Sequence, residues 1–148
     1  MQDRWQVRVT AHSRNEADVF VRKHKLRVGP PIQFDSEYAG ITALEQMLGA
    51  VGADLCATLM TRARRHRLEI DGVEAVVEGR LENPLAFLDV VGEQGTPALR
   101  ALAIKVFVNT LHTPQELQTA WDEALRLSPL MGCLKDAMKV DLYFKVAV

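Results

Sequence analysis

The sequence predicts an α+β fold, and three observations carry that expectation. Period-2 alternation of apolar and polar residues marks strands toward both ends of the chain, while Ala43 to Met60 reads as one long helix. Two helix starts are marked by capping boxes, Thr42 with Glu45 and Thr113 with Glu116. The order that results is strands, long helix, strands, helix, short helix, strand, without the regular alternation of a βαβ sheet. The 148 residues suit a single domain, 1–148, with a sizeable core.

Taken in order, Trp5, Val7 and Val9 alternate with Gln6, Arg8 and Thr10, the mark of a half-buried strand. After the turn-like "HSRN", Ala17 to Val21 reads as a second strand, and Lys25 to Val28 either extends it or forms a third. Gly29, Pro30 and Pro31 end that run, because proline offers no amide donor to a ladder. In the long helix, Leu44, Leu48, Val51, Leu55 and Leu59 recur at helical spacing, and Gly49, Gly52, Ala53 and Cys56 form a row of small residues. Each glycine costs a helix about 0.8–1 kcal/mol relative to alanine, so the pair predicts close approach of another element. The helix is expected to be buried on most sides and to expose charge only at its end, "TRARRHRLE". Val73, Ala75, Val77 and Gly79 then mark a strand, "ENPLAFLDVVGEQGTP" a long connection, and Leu102 to Val108 the next strand. The second helix starts with Pro114 at its first position and carries Leu117, Trp121, Ala124 and Leu125 up to Pro129. A short helix from Leu130 to Ala137 leads into a final strand of Val140, Leu142, Phe144 and Val146.

Composition excludes several classes. The net charge of −1 gives no general attraction to nucleic acid or anionic membrane. No apolar run approaches the ~18 residues of a membrane helix, and "MQDRWQVRV" has no signal-peptide apolar segment, so the expected location is cytoplasmic. Cys56 and Cys133 are the only cysteines, without Cys-x-x-Cys or His-x-x-x-His spacing, so neither a metal centre nor another cofactor is expected. The basic stretches "VRKHKLR" and "TRARRHRLE" lack interleaved aromatics. The second is accounted for as a helix end whose cations favour the dipole.

Three pieces, in this order and spacing, resemble the OsmC/Ohr family of osmotically inducible and organic hydroperoxide resistance proteins. "TALEQMLGAVGADL" is similar to the start of its central helix, "IDGVEAVVEG" to the strand that follows, and "ALRLSPLMGCL" to the stretch where the family has cysteine-proline-valine. The resemblance runs from about Ile41 to the C-terminus. It implies antiparallel sheets packed around the central helix in an intertwined homodimer. It also implies a small peroxidase whose helix thiolate attacks the O–O bond of a hydroperoxide, becomes a sulfenic acid and condenses with a second cysteine. An arginine and a glutamate near the helix start orient the first thiol.

This sequence departs from the pattern at the chemistry. The resemblance sets Asp54 at the first cysteine and Ser128 at the second, with Glu45 close to the glutamate and Arg14 or Arg22 standing for the arginine. Cys56 is two helical steps past Asp54, a rotation of roughly 200°, and so faces away from anything Asp54 faces. Packing accounts for Cys56 and Cys133, which are expected apart and mostly buried. Asp54 is open to two readings: a ligand-facing carboxylate in the former thiol pocket, or a carboxylate paired to an arginine or to backbone amides. Ser128 reads more simply as a helix-terminal residue than as a nucleophile.

The expected function is that of an OsmC-like protein of the oxidative-stress family that has lost thiol peroxidase activity. It keeps a dimer-interface pocket, marked by Asp54, Ser128 and Glu45, for an unidentified small molecule. The alternative is an organic hydroperoxide peroxidase that has moved its chemistry to Cys56 and Cys133. No nucleic-acid or membrane partner is expected.

Overall fold

The computed structural model describes residues 1–11 and 15–147, in two units, Met1–Met47 and Leu48–Val148. Arg14 lies outside the described residues.

The first unit holds an antiparallel meander of β1 (Arg8–Ala11), β2 (Ala17–Val21) and β3 (His24–Val28). The expected separate third strand is present, and a turn at Arg22 and Lys23 joins β2 to β3, with Arg22 at φ 51°. Register aligns Val9, Val19 and Leu26 on one face and Arg8, Phe20 and Lys25 on the other. The first strand differs from expectation in two ways. It begins after Trp5, which is 77% exposed, and Val9 is 55% exposed instead of half-buried. On the opposite face Asp18 is buried, with Arg27 Nε donating to its Oδ1 at 2.7 Å and Lys25 Nζ 3.7 Å from Oδ2.

The chain then prepares the start of α1 (Ala43–Arg65). Pro30 and Pro31 lack donors, but their carbonyls accept from the amides of Ala43 and Leu44, both at 3.1 Å. Two of the amides a helix leaves unpaired at its start are thereby satisfied. The capping box forms as expected: Glu45 N donates to Thr42 Oγ1 at 3.1 Å and Thr42 N donates to Glu45 Oε1 at 3.0 Å. A Cβ at Gly29 would displace the Tyr38 hydroxyl and crowd Ile41 O at 3.1 Å.

The second unit contains the rest of α1, then β4 (Gly72–Leu81), β5 (Leu99–Asn109), α2 (Pro114–Leu127), α3 (Pro129–Ala137) and β6 (Lys139–Ala147). β5 is central, antiparallel to β4 and parallel to β6. The parallel pair corrects the expectation of purely antiparallel sheets. Two helices separate β5 from β6, a crossover long enough to return the chain to the same end of the sheet. The core joins Val51, Leu55 and Leu59 of α1 to Leu102, Ile104, Val106 and Val108 of β5 and to Leu117, Ala120 and Ala124 of α2. Trp121 stacks on Phe144 with centroids 4.5 Å apart. Burying each of these large side chains contributes about 1.5–3 kcal/mol.

α1 is buried on one side only. Ala50, Ala53, Ala57 and Thr61 are exposed, against the expectation of burial on most sides, because the sheet and α2 cover a single face of the helix. The two glycines divide in the same way. A Cβ at Gly52 would sit 3.1 Å from Val77 Cγ2, the expected close approach, whereas one at Gly49 would meet nothing within 4 Å. The basic end of α1 is also more than a solvated face. Arg62 Nε donates to Glu123 Oε2 at 2.7 Å and His66 Nε2 lies 2.9 Å from the same oxygen, tying α1 to α2. That arginine, and then the histidine, hold the Glu123 carboxyl below its ordinary pKa. The long connection is ordered around Asn83, which caps a short 3-10 turn at Pro84–Leu88 and donates to Glu93 Oε2 and Gln94 O.

Candidate functional site

Asp54 lies in the middle of α1, on its partly exposed side. Its phase on the helix carries the carboxylate to the step between α2 and α3. That step is built by the sequence Leu-Ser-Pro at 127–129. Proline at 129 cannot continue α2, yet its fixed φ suits the first position of a new helix. Ser128 therefore serves two helices at once. Its N–H donates to Ala124 O at 2.9 Å to close α2, and its Oγ accepts from Met131 N at 3.3 Å to open α3. Sequence reading gave Ser128 only the first role.

Asp54 completes this junction. Its Oδ2 accepts from the Ser128 hydroxyl and from Leu130 N, the latter at 3.0 Å. The two positions that the resemblance sets against the family's cysteines are thus in direct hydrogen-bond contact. A carboxylate at a helix N-terminus is favoured by the unpaired amides and by the dipole, at about 0.3–1 kcal/mol for an exposed site and up to ~2 kcal/mol when partly buried. Ser128 is 1% exposed, and both of its hydrogen-bonding roles are filled within the junction. Of the two readings open for Asp54, capping of backbone amides describes Oδ2. Oδ1 has no partner among the described residues. Leu130 N escaped sequence reading because it is a main-chain donor. The signal for it was the Ser-Pro pair, which marks an N-cap followed by a first helical position.

Among the described residues, Cys56 and Cys133 make no hydrogen bond to Asp54 or Ser128, while Glu45 and Arg22 belong to the first unit. Glu45 is occupied at the start of α1, where the Thr42 N–H and then its hydroxyl hold the carboxyl below its usual range. Arg22 is exposed at the β2–β3 turn. Cys56 is half-buried, and burial pushes its thiol pKa up, which lowers the thiolate fraction a peroxidase needs. Cys133 corrects an expectation. It is exposed instead of buried, with Sγ 3.3 Å from Leu130 O, because α3 buries Met131 and Leu134 and so turns position 133 outward. Both cysteines are free.

This geometry makes a stability prediction. Asp54→Ala leaves the Leu130 amide and the Ser128 hydroxyl without their acceptor and should destabilise the protein by about 1–3 kcal/mol. Asp54→Asn keeps an oxygen for both donors and should lose clearly less. Urea unfolding of the two variants checks this, and an Asp54→Ala change within ~0.5 kcal/mol of zero, the range of an ordinary surface substitution, would remove the junction role.

No family model matches the chain, and no curated protein matches it by sequence. Solved structures do. An OsmC-like protein from Mycoplasma pneumoniae superposes with a TM-score of 0.82 at 14% identity, over 100% of both chains. The organic hydroperoxide resistance protein OhrB of Bacillus subtilis gives 0.61 at 16% identity, over 97% of this chain and 98% of that one. An organic hydroperoxide resistance protein from Legionella pneumophila gives 0.64 at 14% identity, over 99% and 100%. What these proteins share with this chain, end to end, is architecture: the chain has the fold of the OsmC-like and organic hydroperoxide resistance proteins.

Proposed function

We propose that this chain is a member of the OsmC/Ohr family in which a permanent hydrogen-bonded tether has replaced the redox-active thiol pair, so that it is not a thiol peroxidase. One observation carries the reading: Asp54 Oδ2 holds both Ser128 Oγ and Leu130 N, and the sequence resemblance sets Asp54 and Ser128 against the family's two cysteines. A carboxylate and a hydroxyl cannot cycle through sulfenic acid and disulfide. They can hold α1 to the start of α3 whatever the redox state. The role left to such a protein is to bind a small molecule beside Asp54 at the interface of a homodimer. Oδ1, the oxygen without a partner among the described residues, would meet a hydrogen-bond donor on that ligand. Support for the pairing of subunits comes from the exposed small residues Ala50, Ala53 and Ala57 on α1, where two helices could approach closely. A cytoplasmic location belongs to the same reading.

A relocated peroxidase built on Cys56 and Cys133 is the weaker reading. The first thiol is partly buried with a raised pKa, the second faces solvent on a different helix, and a disulfide requires Cα atoms within ~7 Å.

Two experiments test the proposal. Cumene hydroperoxide with a dithiol reductant should give no turnover above buffer, and intact mass after one equivalent of peroxide should show no loss of two hydrogens per chain. Rapid Cys56–Cys133 disulfide formation, abolished by Cys56→Ser, would establish the alternative instead. For the assembly, light scattering after size exclusion should give about twice the 16.5 kDa chain mass. A monomer at micromolar concentration would remove the interface pocket.

A further inference from the structure

The face of the β4–β5–β6 sheet turned away from the core carries an arrangement that the proposed function does not use. Register lines up Arg80, Ala101 and Lys139 in one row across the three strands, and Glu78, Ala103 and Asp141 in the next outward-facing row. The first row ends in two cations and the second in two carboxylates, and both are floored by alanine. Together these side chains line a hollow of about 110 Å³. On a solvated sheet face, opposite charges on neighbouring strands stabilise one another directly. Here each charged residue on an outer strand faces a methyl group, and its like-charged counterpart lies two strands away, roughly 9.6 Å across. Among the described residues, Glu78 and Arg80 have no ion-pair partner. Lys139 and Asp141 meet at 3.9 Å while remaining 75% and 69% exposed, an interaction worth little in water.

We propose that this hollow binds a small linear zwitterion of free-dipeptide size, its carboxylate over Ala101 between Arg80 and Lys139 and its ammonium over Ala103 between Glu78 and Asp141. The dimensions fit. Ala101 and Ala103 are about 6.8 Å apart along an antiparallel strand, and two extended residues span at most about 7 Å. An α-amino acid is too short to bring its two charges to both rows. A lone anion or cation would satisfy one row and sit close to the opposite, repelling one.

The test uses the full chain and glycylglycine as probe, followed by amide chemical shifts in ¹H–¹⁵N spectra, which also report that each variant is folded. Saturable shifts centred on Ala101 and Ala103 are expected. N-acetylglycine, which lacks the ammonium, and glycinamide, which lacks the carboxylate, should bind more weakly. Arg80→Gln and Asp141→Asn should each weaken glycylglycine roughly twofold to fivefold, the scale of one exposed charge pair. Ala103→Leu, which fills the floor, should abolish the shifts. Linear, unsaturable shifts, equal responses to the singly charged analogues, or variants that bind as tightly as the original chain would each overturn the proposal.

Discussion

The arrangement of the second unit around its central helix turns on one carboxylate held at the start of another helix. Asp54 belongs to α1, but its Oδ2 is bound to Ser128 Oγ and Leu130 N, where α2 ends and α3 begins. A helix interior is an unfavourable place for an aspartate, whose short polar side chain competes for backbone partners and lowers helix propensity. The unpaired amides of α3 resolve that cost, and α3 in turn gains an acceptor that its own first turn does not supply. Each element satisfies what the other leaves open.

The apolar core makes the contact possible. Val51, Leu55 and Leu59 fix the rotation of α1 against β5 and α2, so position 54 is directed to one flank and position 56 to the other. Gly52 lets the helix sit close to Val77 of β4. On the far side, Leu117, Trp121 and Ala124 of α2 seat the helix that delivers Ser128. The clasp of Glu123 with Arg62 and His66 holds the same two helices together near the C-terminal end of α1. Chemistry at the junction therefore depends on packing that contains no reactive group.

Much of this was legible in the sequence, and the failures have physical reasons. Both capping boxes form as read, since a hydroxyl and a glutamate three residues apart interact locally and need no tertiary information. The α+β order likewise follows from periodicity. The parallel direction of β6 was not legible, because alternation reveals a strand and its faces but not its neighbour's direction. The exposure of Cys133 was misjudged, since an apolar short helix buries only the residues its phase selects, here Met131 and Leu134. Asp54 and Ser128 were identified as a pair through the resemblance. That they touch depends on residues 74 positions apart being brought together, which no local pattern encodes.

The proposal that a hydrogen-bonded tether stands in place of a thiol pair rests on the closeness of Asp54 and Ser128. It is tested most directly by introducing cysteines at both positions, as Asp54→Cys with Ser128→Cys in one chain. If the positions are as close as the hydrogen bond places them, mild oxidation should give an intramolecular disulfide between 54 and 128. Its reduction should lower the thermal midpoint, and removing either introduced cysteine should abolish the bridge. A double variant that is folded by circular dichroism, yet keeps both introduced thiols reactive toward a thiol reagent after oxidation, would contradict the account.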